Sequence, residues 1–152
     1  MTITNNELTK MVHVVHDVEK AVEHFAALFG MERPKVVHTT PPDGSNPKVY
    51  NRFRGRSIGG RVKLANLQMG PVTVEVIEPV DADSPWAEFQ RRHGDGIFSL
   101  VFTVKDFDAH IERLGSEGMP IFHRGEYGSG RYAYFESKDQ LGVTICLQEI
   151  DG

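Results

Sequence analysis

Several stretches of this chain hold side chains able to do chemistry, and each has an ordinary structural reading beside it. The single cysteine, Cys146, sits in GVTICL. A thiolate there would be a nucleophile, whereas a thiol on an apolar strand is more often a small buried residue. Seven histidines are spread along the chain without the H-E-x-x-H spacing that would put two ring nitrogens on one metal. Residues 40–57 carry Lys48, Arg52, Arg54 and Arg56, interleaved with Tyr50 and Phe53. Such a loop can gather an anionic substrate, a carboxylate or a phosphate, or can simply be solvated. The tract GEYGSGRY (125–132) combines glycines, which allow close backbone approach, with Tyr127, Arg131 and Tyr132 as ligand contacts.

Composition limits the partners. The 152 residues hold 17 Lys+Arg against 21 Asp+Glu, a formal net charge of −4, so no nucleic-acid partner is expected. No apolar run reaches membrane-spanning length, so no membrane partner is expected either. The opening MTITNNELTK predicts no secretory signal, and a cytoplasmic protein follows as the expectation. One cysteine excludes an internal disulfide and any multi-cysteine zinc cage.

The elements that must position these residues repeat. KMVHVVHDVEKAVEHFAALFGM (10–31) and SLVFTVKDFDAHIERLGSEGM (99–119) both run from a strand into Val-x-Asp, then a helix, then Gly-Met. Asp17 and Asp106, 89 residues apart, are expected helix N-caps, and Gly30 and Gly118 the stops. Val18, Ala21, Val22, Phe25 and Leu28 trace the apolar face of the first helix; Phe107, Ile111 and Leu114 trace that of the second. Strands are predicted at 34–39, 61–68 and 72–77, and again at 119–123, 131–136 and 143–148, each half reading β-α-β-β-β. SPWAEFQRRHGDG (84–96) is expected to begin a linker helix at Ser84-Pro85. Residues 40–57 and 124–130 are left as loops. The expected organisation is a first module at 7–80, a linker at 81–96 and a second module at 97–150.

This doubled unit resembles the vicinal oxygen chelate superfamily of glyoxalase I, methylmalonyl-CoA epimerase, ring-cleaving dioxygenases and bleomycin-resistance proteins. The likeness rests on VVHDVEKAVEHFAALFGM, VKLANLQMGPVTVEVIEPV, SPWAEFQRRHGDGI and YFESKDQLGVTICLQE, in that order. It is nearest to the glyoxalase and epimerase-like branch. The resemblance implies an α+β fold in which two tandem βαβββ modules form a curled, cup-shaped mixed sheet with helices outside. In the family a divalent metal sits in the cup, on one ligand from each of four strands. The corresponding positions here are Lys10, Glu75, Ser99 and Cys146. Only Glu75 is a conventional ligand; an ammonium carries a proton on its lone pair, and hydroxyl and lone thiol are poor partners. No metal or other cofactor is therefore expected.

The same positions suggest a substitute. Lys10, paired with Glu75, can place a fixed cation where the metal stood, as an electrophile or a Schiff-base amine, with Glu75 as acid/base. A salt bridge that merely fills the old site is the competing reading. Ser99 is expected to hydrogen-bond ligand or backbone. His16 shares strand parity with Lys10 and is a candidate acid/base at the mouth of the cup, or an exposed strand-end residue. His13, of opposite parity, should face the helix layer. Three functions follow: a metal-independent lyase or isomerase on a small carbonyl or acyl compound, CoA-linked or not; a metal-free binding protein that sequesters a small molecule; and a metal-dependent glyoxalase or epimerase with unusual ligands. The first is the expected one, with a small-molecule substrate. Homodimerisation is left open, favoured by exposed strand edges.

Overall fold

The computed structural model describes residue 3 and residues 5–152. Strand β1 (Lys10–Val14) leads into helix α1 (Val18–Phe29), whose start is set locally. The Asp17 carboxylate accepts the Lys20 N–H, and Gly30 closes the helix in the left-handed region. Val18 and Val22 are fully buried, but Leu28 is 77 % exposed and Ala26 takes the inward position expected of it. A helical turn of 3.6 residues puts residues 18, 22 and 26 in line and swings residue 28 outward.

Next come β2 (Val37–His38), β3 (Tyr50–Phe53), β4 (Arg56–Ile58), β5 (Val62–Met69) and β6 (Val72–Pro79). Helix α2 (Pro85–His93) follows, capped by the Ser84 hydroxyl on the Ala87 N–H. The second half holds β7 (Gly96–Thr103), α3 (Phe107–Ser116), β8 (Ile121–Glu126), β9 (Gly130–Phe135), the short α4 (Lys138–Leu141) and β10 (Thr144–Ile150). The architecture is α+β, and two compact units share it.

The Lys10 unit comprises residues 10–41 and 59–98. Its strands run β2-β5-β6-β1, antiparallel except for the parallel pair of β6 with β1. Val15, Val18, Val22, Ala65, Leu67, Val74 and Val76 form its core between sheet and α1. The Ser99 unit comprises residues 42–58 and 99–152 with the segment before Lys10. It repeats the order as β7-β10-β9-β8, with β7 and β10 parallel, and extends it through β3 to β4. Its core packs Phe107 and Leu114 of α3 on Ala133, Phe135, Ile145 and Leu147.

Several expectations change. Residues 40–57 are not all loop: they hold the β3–β4 hairpin, turned at Arg54 (φ 49°) and Gly55 (φ 79°). Two consecutive positive φ values make the two-residue turn that matches strand twist. This hairpin, expected within the first module, pairs through β3 with β8, so it joins the Ser99 unit. Residues 124–130 are likewise mostly strand, with only 127–129 forming the turn between β8 and β9. Asp106 sits at φ 54° and makes no side-chain cap; the Glu149 carboxylate accepts the Phe107 N–H instead, at 3.0 Å. The second helix then stops at Ser116, with Gly118 two residues beyond.

Candidate functional site

In the Lys10 unit, Met11, Val74 and Val76 face α1, so their strand neighbours Lys10 and Glu75 lie on the opposite face of the sheet. The parallel register sets Lys10 beside Thr73 and Val12 beside Glu75. The Lys10 Nζ donates to Glu75 Oε2 at 3.5 Å, with side chains 23 % and 20 % exposed. Asn66 of β5 lies opposite Glu75, and the Thr73 hydroxyl donates to Gln68 Oε1 at 2.8 Å. A cation and a carboxylate thus stand together, partly open to solvent, on a polar strip of sheet. His13 takes the other face, edge-on to Phe25 of α1 at 6.3 Å between ring centres.

The Ser99 unit repeats this register. Ser99 lies beside Thr144 and Val101 beside Cys146, as Lys10 lies beside Thr73 and Val12 beside Glu75. The match extends three residues along each last strand. Glu78 accepts the first N–H of α1 (Val18, 3.0 Å), as Glu149 accepts that of α3 (Phe107, 3.0 Å). Ser99 and Cys146 are therefore the internal-repeat counterparts of Lys10 and Glu75. Their chemistry differs. The fully buried Ser99 hydroxyl donates to the Thr144 carbonyl at 2.8 Å, tying β7 to β10. Cys146 is 2 % exposed, with its sulfur 3.7 Å from the Leu147 carbonyl oxygen.

These residues do not fit a divalent metal. Lys10 is an ammonium bound to the one carboxylate of the set, and the Ser99 hydroxyl is committed to backbone. Among the described residues no three His, Cys, Asp or Glu side chains gather as a metal site.

The remaining expected residues are dispersed. His16 lies beyond the end of β1, its ring against the Asp95 carboxylate and its side chain 72 % exposed. Arg131, expected to touch ligand, is engaged internally: its guanidinium donates to Glu126 (3.1 Å), Glu149 (3.0 Å) and Asp151 (3.0 Å). The bonds to Asp151 and Glu126 hold its charge more firmly than usual. Arg54 occupies the hairpin turn, pairs with Glu136 at 3.2 Å and covers the rings of Phe53 and Phe122. Tyr127 is 48 % exposed at the β8–β9 turn. Tyr132 places its hydroxyl 3.0 Å from His123 Nε2. His123, the last residue of the strand predicted at 119–123, is buried within β8. A register shift between Ile121 and His123 hides its strand parity from a simple alternation count.

The family model described as glyoxalase/bleomycin resistance protein/dioxygenase superfamily matches residues 10–135. The chain belongs to that superfamily. Among curated relatives, the uncharacterised protein YqjC of Bacillus subtilis is 27% identical over 95 residues, covering 60% of this chain and 68% of its own. Methylmalonyl-CoA epimerase from Mycobacterium tuberculosis shares the fold at TM-score 0.64 and 22% identity, covering 100% of this chain and 94% of its own. A variant of the Streptomyces coelicolor epimerase, solved with 2-nitronate-propionyl-CoA, matches at TM-score 0.66 and 18% identity, covering 98% and 96%. No helix among the described residues of this superfamily member is long and apolar enough to cross a membrane.

Proposed function

We propose that this protein is a metal-independent isomerase or lyase acting on a small carbonyl or acyl compound, with acyl thioesters the first substrates to try. The observation that carries the reading is the Lys10–Glu75 pair, standing where the family resemblance implies metal ligands. Glu75 takes a proton from the carbon next to a carbonyl, and the C–H electron pair moves into the adjoining C–C bond. The carbonyl π pair moves to oxygen, and the resulting enolate is held by the Lys10 ammonium. Return of the proton completes an isomerisation, while loss of a β-leaving group completes an elimination. The structural likeness to an epimerase solved with a CoA derivative supports the thioester class. As part of the same reading the protein is a cytoplasmic homodimer; β2 and β4 end the strand orders of their units, and such edges pair readily with a second copy.

Incubation with methylmalonyl-CoA or propionyl-CoA in D₂O, with a chelator present, tests this by NMR. Deuterium is expected at the α-carbon, and Lys10→Met or Glu75→Gln is each expected to slow its entry by about 10²–10³. Exchange that survives both substitutions, or that stops on chelation, overturns the reading. Tight binding with no exchange points instead to sequestration.

A further inference from the structure

The face of the Ser99 unit turned away from α3 carries a second polar cluster that the Lys10–Glu75 chemistry does not use. We propose that Tyr132, Asn51 and His123 form a recognition site for a carbonyl or carboxylate oxygen, with the Tyr132 hydroxyl contacting the ligand and His123 positioning it.

Ala133 and Phe135 of β9 pack against the α3 core, so Tyr132 and Tyr134 lie on the other face. Register brings the cluster together across three strands: Asn51 pairs with Gly125, Gly125 with Tyr132, and His123 with Tyr134. Gly125 is the device that seats the hydroxyl. A Cβ there would collide with the Tyr132 ring, so the ring lies across β8 only because that strand has no side chain at this point. The Tyr132 hydroxyl consequently stands 3.0 Å from His123 Nε2 and donates its one proton to Asn51 Oδ1 at 3.5 Å, a long bond that a ligand oxygen would replace.

His123 is 1 % exposed and packed at a tilt among aromatic rings, 5.4 Å from that of Tyr132 and 5.6 Å from that of Tyr134. Burial holds its imidazole down at about 3, so it is neutral throughout the physiological range. A neutral imidazole orients a phenol without adding charge. A core needing only bulk would be better served by an apolar ring, because burying a polar one has a desolvation cost. Tyr132 and Asn51, by contrast, are only partly buried, so the cluster is not closed off from solvent. This site stands on its own geometry and does not depend on Lys10.

The test uses three probes, methylmalonate, acetoacetate and propionyl-CoA, so that carboxylate, ketone and thioester oxygens are all sampled. NMR of the Tyr132 ring and the His123 imidazole is expected to show saturable shifts with at least one of them. Tyr132→Phe, which removes a single oxygen, is expected to weaken that probe about tenfold with the fold intact. His123→Leu is expected to weaken it similarly, and His123→Gln to recover most of the loss. Gly125→Ala, which keeps all three polar side chains but displaces the ring, should mimic Tyr132→Phe. Absence of shifts with all three probes, or an unchanged affinity in Tyr132→Phe, overturns the proposal. A Lys10→Met protein that loses deuterium exchange yet keeps these shifts separates this site from the proton-transfer chemistry.

Discussion

Lys10 and Glu75, 65 positions apart in sequence, meet at 3.5 Å across a parallel strand pair, on the sheet face that α1 leaves uncovered. Both side chains are about four-fifths buried. A double-mutant cycle with Lys10→Met and Glu75→Gln, read by denaturant unfolding, is expected to give a coupling of about 1 kcal/mol that shrinks with added salt. A coupling indistinguishable from zero would show that the two charges do not hold each other.

The two helices of the repeat are capped by different means, and this makes a paired prediction. Asp17→Ala removes a side-chain bond to the Lys20 N–H and is expected to cost about 1 kcal/mol. Asp106 makes no such bond and sits at φ 54°, so Asp106→Gly is expected to change stability by less than about 0.5 kcal/mol. Thermal unfolding of the two variants side by side decides the matter; equal losses would contradict it.

His123 predicts an acid limb of stability. Its ordinary value is 6.5 and its folded value about 3, so between these pH values the unfolded chain binds a proton that the folded chain refuses. Stability contributed by the neutral imidazole is complete above about pH 6.5, falls as pH drops through the window, and has gone below about pH 3. The total is on the order of a few kcal/mol. In His123→Gln, unfolding measured between those limits should show a flatter slope. A slope identical to that of the parent chain would mean that the imidazole is already protonated in the fold.

Cys146 is 2 % exposed, and its strand neighbours Ile145 and Leu147 belong to the α3 core. A thiol reagent is expected to label it only as fast as the chain opens, and denaturant should accelerate labelling steeply. Rapid stoichiometric labelling under native conditions would revive the nucleophile reading.

Residues close in the chain carried most of what could be read without a structure. The Asp17 and Ser84 caps, the Gly30 stop and the alternation along β1 and β6 are local patterns, fixed by backbone hydrogen-bonding needs and by the two-residue period of a strand. Lys10, Glu75, Ser99 and Cys146 are singled out by the family resemblance, not by local pattern; the strand registers then show Ser99 and Cys146 as the repeat counterparts of Lys10 and Glu75. Tertiary structure alone decided the rest. The hairpin at Arg54-Gly55 lacks the Asn-Gly signature of its turn, and nothing local directs β3 to β8 rather than to its own half. Arg131 looked free for a ligand because the Glu126, Glu149 and Asp151 carboxylates that surround it come together only when β8, β9 and β10 pair. His16 found Asp95, and His123 found Tyr132, by the same route. Local propensity specifies which elements form and which way their side chains alternate; which charged and polar groups end as partners depends on contacts between distant segments, and these exist only once the strands are in register.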